Sequence, residues 1–234
     1  MTVDDRRAWE IVLAHIEADL LGGRLGPGDR LPGERALAAD LGVGRSSVRE
    51  AIRVLEVLGL IRTATGSGPS AGAIIVALPG GGMSALMRLQ VAAQGFPVAD
   101  VVKTRLVLEA SVVTELAAAT PRPDLSGSER LLDAMESREL TEDEFLALDA
   151  QFHLSLAEAS GNQVVTAMMA GLRSAIEGYA RAGVPSLVSW PATSARLMLE
   201  HRGILAAIAS TDAEAARLTV QSHISGYYAE THLT

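Results

Sequence analysis

The 234-residue sequence predicts a mainly α-helical protein with two domains, the first of which also contains a small β-hairpin. Two stretches, 34–41 and 45–58, repeat apolar residues at helical spacing, and a strand-like pattern with a glycine-rich tip follows them. Beyond a glycine-rich linker at 78–83, every periodic segment is helical. We therefore expect one domain at 1–77 and an all-α helical bundle at 84–234.

The first two helices have the layout of a helix-turn-helix. The segment 34–41 packs one apolar face inward, and Gly42 and Gly44 then permit a sharp turn. The second helix starts near Arg45, and Gly59 is placed to end it. The expected buried face of this second helix consists of Val48, Ala51, Ile52, Leu55 and Leu58.

Three arginines form a stripe on the opposite face of the second helix. Arg45, Arg49 and Arg53 follow one another at a spacing of four residues. A guanidinium can bind guanine with two hydrogen bonds or hold a phosphate, so the stripe predicts DNA binding. Arg45 and Arg49 stand early in the recognition helix and are expected at base edges, whereas Arg35 is expected at the DNA backbone. The alternative is an ordinary solvated arginine face.

The pattern changes from helix to strand after Leu60. Residues 60–65 and 73–76 read as the two strands of a β-hairpin. A hairpin that directly follows a recognition helix is a wing, whose tip can reach the minor groove.

Residues 9–77 resemble the winged helix-turn-helix of the GntR family of bacterial transcription regulators. Gly33 departs from the pattern, since the family usually has a capping serine there, and the wing tip at 66–72 is longer than the family norm. The resemblance implies that the matching arginines and a wing-tip glycine contact operator DNA. The matching residues are Gly28 to Pro32, Glu34, Arg35, Leu37, Ala38, Leu41 to Val43, Arg45, Val48 to Ala51, Leu55, Gly59 and Leu60. The candidate DNA-binding residues are Arg35, Arg45, Ser46, Ser47, Arg49 and Gly66.

Composition restricts the compartment and the partners. The chain has no cysteine, which excludes a disulfide-based extracellular scaffold, and no apolar run long enough to span a bilayer. The polar N-terminus does not resemble a signal peptide, so we expect a cytoplasmic protein without a membrane partner.

The net charge of −8 is unusual for a DNA-binding protein. Residues 1–77 hold 9 basic and 10 acidic side chains, whereas residues 78–234 hold 11 and 18. The acidity therefore lies mostly in the second half, and the acidic side chains of the first half are expected mostly off the arginine stripe. Because the attraction to phosphate is modest, we expect a homodimer that uses two half-sites of a near-palindromic double-stranded operator.

The second half predicts a bundle of six or seven helices. Aromatic residues make up only 3% of the chain, so its core is expected to contain mainly Leu, Val, Ala and Met. Proline- and glycine-containing loops separate the amphipathic segments. These segments are 84–94, 98–119, 126–137, 141–159, 163–181, 190–208 and 212–231.

Four polar residues of the bundle suggest a metal site. Asp149 and His153 stand four residues apart on one helix face, and His201 and His223 lie on two other predicted helices. Three imidazoles and a carboxylate suit Zn²⁺, Mn²⁺ or Ni²⁺. From the residues alone, scattered core histidines are the more common explanation of such a pattern.

The second half resembles the FCD ligand-binding domain, which accompanies this winged helix in the FadR subfamily. The resemblance implies that Asp149, His153, His201 and His223 bind a divalent metal ion, and that Arg105 grips the carboxylate of a small organic acid beside it. The acyl-CoA-sensing branch lacks this ligand set, which argues against a lipid effector. The matching features are Arg105 and Glu109, Leu116 to Ala118, Asp149, Phe152, His153, Gly161, Asn162, Glu200, His201, Ile204, Ala207, Ile208 and His223.

These features together predict a DNA-binding transcription regulator that is not an enzyme. The resemblance implies a repressor whose operator affinity is controlled by the acid effector. One alternative is the same DNA-binding protein with a purely structural metal. Another is a metal-dependent hydrolase or lyase fused to a DNA-binding module, although no general base can be placed beside the ligands.

Overall fold

A computed structural model describes residues 7–64, 72–76, 81–94, 96–136 and 140–231 of the chain. The chain folds as two compact units, Met1–Met83 and Ser84–Thr234. The candidate wing-tip residue Gly66 lies outside the described residues. Within the described ranges, no helix pairs the length with the apolarity that crossing a bilayer requires.

The first unit has a helix-turn-helix followed by a hairpin. Its elements are α1 (Ala8–Leu21), α2 (Glu34–Leu41), α3 (Arg45–Val57), β1 (Ile61–Ala64) and β2 (Gly72–Ile75). Both predicted helices and the hairpin are therefore present. Their apolar faces close around one core, whose buried members include Val12, Ile16, Leu37, Val48, Ala51, Leu55, Ile61 and Ile75.

Glycine conformation determines where α2 and α3 end. Gly42 ends α2 with φ at +65°, a left-handed conformation that side chains disfavour. Gly59 follows α3 with φ at +70°, and the next residue, Leu60, donates its amide to the carbonyl of Leu55 at 2.9 Å. Two of the residues expected on the buried face of α3, Ile52 and Leu58, are only half-buried. They lie at the margin of the face that Val48, Ala51 and Leu55 bury.

The hairpin pairs β1 with β2 in antiparallel register. Ile61 lies opposite Ile75 and Arg62 lies opposite Ile74. Because side chains alternate along a strand, Ile61 and Ile75 point together into the core while Arg62 is exposed.

The second unit is a bundle, and its described residues form seven α-helices. The long helix α5 lies at its centre, where it packs against α7, α8, α9 and α10. The largest fully buried side chains of the bundle include Phe152, Leu156 and Ile204. The helices are α4 (Gly81–Gln94), α5 (Val98–Ala118), α6 (Ser126–Met135), α7 (Glu142–Ala159), α8 (Gln163–Gly183), α9 (Trp190–Ala209) and α10 (Ala213–Glu230).

Side-chain caps set the starts of the helices that carry the candidate site. At α7, Thr141 and Glu144 cap each other's backbone amides, at 3.3 and 2.8 Å. Ser189 caps α9, and Asp212 caps α10. The helix α4 begins at Gly81, although the glycine-rich composition predicted a linker as far as residue 83. Glycine lowers helix stability only modestly, so a glycine run does not exclude a helix start.

Candidate functional site

The helix α3 presents its arginines on the surface of the first unit. Arg45, Arg49 and Arg53 are exposed, and the opposite face of the helix is buried. Ser46 lies with Arg49 and Arg53 along a shallow surface depression. Arg35, in the first turn of α2, is exposed as well. These side chains are accessible to a double-stranded DNA, and their contacts with it stay a prediction.

A carboxylate lies among these arginines. Glu34, the first residue of α2, approaches Arg49 Nε to 3.2 Å and Arg45 Nη2 to 3.8 Å through its Oε2 atom. Glu50 lines the same depression as Arg49. Two acidic residues of the first unit therefore lie at the arginine stripe, where sequence analysis expected few.

The second unit brings three imidazoles and one carboxylate together in its interior. Asp149 and His153 come from α7, His201 from α9 and His223 from α10. All four side chains are buried, and one donor atom of each lies within 4.8 Å of the other three. The bundle thus assembles the four predicted metal ligands in one place.

The donor atoms converge on a common point. His223 Nε2 lies 3.1 Å from His153 Nε2 and 3.2 Å from His201 Nε2. Asp149 Oδ1 is 3.1 Å from His201 Nε2 and 4.0 Å from His153 Nε2. Nitrogen ligands at about 2.0–2.1 Å from a zinc ion lie roughly 3 Å apart, so these separations fit a shared divalent cation.

Burial and neighbouring charges favour the unprotonated forms of Asp149, His201 and His223. Burial and the nearby charge of His201 lower the pKa of His223 to about 4. Burial also lowers the pKa of His201. Burial alone would raise the pKa of Asp149, but the hydrogen bond with His201 and the imidazole charges hold it below its usual range. A metal needs neutral imidazoles and an ionised carboxylate, which these shifts favour at neutral pH.

Two further carboxylates contact the outer nitrogens of the histidines. Glu109 Oε2 lies 2.5 Å from His153 Nδ1, and Glu200 Oε2 lies 2.8 Å from His223 Nδ1. The hydrogen bond between Glu200 and His223 Nδ1 favours the His223 tautomer that carries its proton there, which leaves the Nε2 lone pair directed at the cluster. The contact between Glu109 and His153 is an ion-pair distance that lacks hydrogen-bond geometry. His201 Nδ1 has no hydrogen-bond partner among the described residues.

A small cavity lies beside the cluster. Asp149, His223 and Arg105 contribute to its wall, so a molecule inside it could touch the metal ligands and the arginine together. Its volume is about 20 Å³, which is room for about one water molecule, so a larger ligand requires the lining side chains to move apart. The remaining lining residues are Leu146, Tyr179, Ala180, Leu197, Ile224 and Tyr227.

Arg105 is buried and held in place by two neighbours. Its Nε donates to Glu109 Oε1 at 2.7 Å, and its Nη1 donates to the Tyr179 hydroxyl at 2.5 Å. Its Nη2 is buried without a hydrogen-bond partner among the described residues. Burial alone would lower the pKa of Arg105, but the charge of Glu109 raises it, so the guanidinium stays charged. A buried cation with an unused donor beside a cavity suits an anionic ligand.

Sequence reasoning missed several residues around this cavity. Glu109 and Glu200 were noted only as parts of a family pattern. Tyr179 and Tyr227 had no signal, because the partner of each hydroxyl lies far away in the sequence. The spacing of Glu109 four residues after Arg105 could have indicated their ion pair.

Comparisons with known families cover most of the chain. Residues 10–69 match the family described as "Bacterial regulatory proteins, gntR family", and residues 100–226 match the FCD domain.

Named relatives of this chain are regulators, and the match covers most of their length. The transcriptional repressor NanR of Citrobacter rodentium is 31% identical over 97% of this chain and 86% of its own. The putative L-lactate dehydrogenase operon regulatory protein of Escherichia coli K12 is 28% identical over 96% of this chain and 86% of its own. These relatives are transcription regulators, not enzymes.

A solved structure has the same fold. It is described as Streptococcus agalactiae GntR and superposes with a TM-score of 0.59, at 24% identity. The match covers 94% of this chain and 98% of that one.

Proposed function

Because the chain belongs to the gntR family of bacterial regulatory proteins and carries an FCD domain, we propose that it is a metal-dependent, acid-responsive repressor. The family makes it a DNA-binding transcription regulator with an effector-binding domain. The observation that carries the finer proposal is the convergence of four buried donor atoms beside a cavity that a charged arginine lines. A regulator of this kind acts where the chromosome lies, in the cytoplasm.

The metal site of the proposal consists of Asp149, His153, His201 and His223. Zn²⁺, Mn²⁺ and Ni²⁺ all accept imidazole and carboxylate ligands. An ion held by four protein atoms can keep further coordination positions open, and it then binds oxygen atoms of a ligand as a Lewis acid. The cavity wall formed by Asp149 and His223 gives a ligand access to such positions.

The effector of the proposal is a small organic acid. Arg105 would bind its carboxylate, since Nη2 is an unused donor on a buried cation. The cavity is too small for a long acyl chain. One relative is named for an L-lactate dehydrogenase operon, so hydroxy acids are the first candidates to test.

The DNA-binding part of the proposal uses the exposed arginines. Arg45 and Arg49 would read base edges in the major groove, and Arg35 would hold the backbone. Ser46 and Ser47, in the first turn of α3, and the wing-tip Gly66 complete the candidate set. Two copies of the chain would bind the halves of a near-palindromic operator as a homodimer.

Control by the effector requires only a small coupling. If the acid favours an arrangement of the DNA-binding units that fits the operator poorly, the operator is released. A tenfold change in affinity needs about 1.4 kcal/mol of coupling. We propose repression rather than activation because NanR, the relative at 31% identity, is named a repressor.

The test measures operator affinity with and without metal and acid. An operator is selected from a random duplex library, and its binding is followed by fluorescence anisotropy for zinc-loaded and metal-stripped protein. Acetate, L-lactate and citrate are then titrated. We expect at least one acid to weaken binding by the metal-loaded protein about tenfold or more.

Two variants separate the effector site from general damage. Arg105→Ala should keep metal and operator affinity but lose the response to acid. Arg173→Ala is the matched control, because Arg173 binds Glu177 and Gln151 rather than lining the cavity. If metal removal unfolds the protein while no acid changes operator affinity, the metal is purely structural and the effector proposal is wrong.

A further inference from the structure

We propose that Tyr179 is a second effector-binding residue, whose hydroxyl donates a hydrogen bond to the same carboxylate that Arg105 binds. This inference rests on the proposed function and names a residue for which the sequence provided no signal. Arg105 and Tyr179 would together form a binding site with two hydrogen-bond donors, one for each oxygen of the carboxylate.

The first step is that the Tyr179 hydroxyl has a proton that no hydrogen bond in the described part of the bundle uses, which follows from the direction of its hydrogen bond with Arg105. Arg105 has only donors, so in its 2.5 Å contact with Tyr179 the hydroxyl oxygen must accept. A phenol hydroxyl also has one proton to donate. No described residue accepts a hydrogen bond from Tyr179, so this proton is available to a ligand.

The second step is that two unused donors lie next to each other. Arg105 Nη2 is buried without a hydrogen-bond partner among the described residues, and the neighbouring Nη1 is hydrogen-bonded to the Tyr179 hydroxyl. Tyr179 is only 7% exposed, and both residues line the cavity beside Asp149 and His223. Buried donors without acceptors are costly, and an anion in the cavity would satisfy both.

The state of the phenol agrees with a donor role. Burial raises the pKa of Tyr179, so its hydroxyl keeps its proton at neutral pH. Two adjacent donors would favour a carboxylate over the corresponding amide, because the amide offers one acceptor oxygen and an NH₂ group that only donates.

Tyr227 supplies an internal control. It lines the same cavity, but its hydroxyl donates to the backbone carbonyl of Ala180 at 2.6 Å. Its proton is therefore already used within the bundle. Removal of the Tyr227 hydroxyl changes the packing of the same cavity without removing a donor available to a ligand.

The first experiment uses calorimetry to measure how tightly zinc-loaded protein binds acetate, the minimal carboxylate, and acetamide. Tyr179→Phe should weaken acetate binding about ten- to a hundredfold, the effect of losing a hydrogen bond to a charged group. Metal content should not change, acetamide should bind poorly to every form, and Tyr227→Phe should bind acetate like the wild type. Equal acetate affinity in Tyr179→Phe and the wild type would overturn the inference, as would an equal loss in Tyr227→Phe.

A second measurement does not depend on how well Tyr179→Phe folds. The chain has three tyrosines, so fluorotyrosine labelling of the wild type gives three ¹⁹F resonances. Acetate should shift the Tyr179 signal and leave that of Tyr228, which does not line the cavity, in place. A Tyr179 signal that does not respond at saturating acetate would contradict the inference.

The two levels of the proposal fail differently. If Arg105→Ala loses acetate but Tyr179→Phe does not, only the role of Tyr179 is wrong. If the wild type binds no acetate, or Arg105→Ala binds it normally, the proposed effector site itself is wrong.

Discussion

A carboxylate oxygen of Glu34 lies 3.2 Å from the Nε atom of Arg49, across the turn of the helix-turn-helix. The same oxygen is 3.8 Å from Arg45. Both arginine side chains are more than half exposed, so the pairing contributes little to stability. Its effect is to orient two candidate base-reading side chains and to cancel part of their charge.

We predict that Glu34→Gln lowers sequence discrimination. Loss of the carboxylate leaves the arginines less oriented and more strongly attracted to any phosphate. Affinity for non-operator duplex should rise up to about fivefold, in line with the energy of an exposed ion pair. Anisotropy titrations at low salt with operator and non-operator DNA measure the ratio. Glu17→Gln makes the same charge change on an exposed position of α1, and identical behaviour of the two variants would refute the prediction.

We predict different losses for two exposed arginines. Arg49→Ala should cost about 1–3 kcal/mol of operator binding and affect random duplex less, since it removes a base contact. Arg35→Ala should weaken binding to operator and to random duplex alike. It should also reduce the slope of log K against log salt concentration by about one, as expected for the loss of a phosphate contact. Titrations at several salt concentrations distinguish the two patterns. A uniform loss in Arg49→Ala would place it at the backbone instead.

We predict that Glu200→Gln weakens metal binding about ten- to a hundredfold, the usual effect of losing a carboxylate that orients a ligating histidine. Glu200 contacts His223 Nδ1 at 2.8 Å and also binds Arg196. Glu230→Gln is the control, because Glu230 binds Arg196 and Thr193 but no histidine. Competition with a zinc chelator measures the affinities. Equal affinities in the two variants would mean that Glu200 does not support the site.

We predict that the metal-free protein loses stability as the pH falls from 6.5 to 4.5. The pKa of His223 is about 4 when folded and 6.5 as a model value, so the unfolded chain binds more protons in this interval. The buried Glu109, whose pKa the charges of Arg105 and His153 lower to about 2 against its burial, loses its contribution only below 4.5. Urea unfolding at successive pH values gives the free energy of unfolding as a function of pH. This function should have a shallower slope for His223→Asn than for the wild type. An equal slope would argue against the shifted imidazole.

Local pattern accounts for most of the fold. Helical spacing predicted α2, α3 and the bundle helices, and the strand pattern predicted the hairpin. These signals succeed because burial imposes a period on the chain within a single element. The predicted linker extended to residue 83, about one turn beyond the observed start of α4 at Gly81. Composition alone does not distinguish a glycine-rich helix start from a linker.

The site was only partly accessible to such reasoning. Asp149 and His153 share a helix, so their spacing brings them together. Residue type suggested His201 and His223 as further ligands, and only the resemblance made that set specific. Tyr179 reaches Arg105 across 74 positions of the chain, and Glu34 reaches Arg49 across a turn. Contacts between elements depend on packing angles that no local period encodes.

The most direct test of the central claim is the metal content of protein purified without chelator or histidine tag. Elemental analysis compares the wild type with an Asp149→Ala/His153→Ala variant. His15→Ala serves as control, since His15 lies on α1 and pairs with Asp19. We expect about one divalent ion per chain in the wild type and the control, and none in the double variant. A wild type without metal, or a double variant that keeps it, would contradict the account.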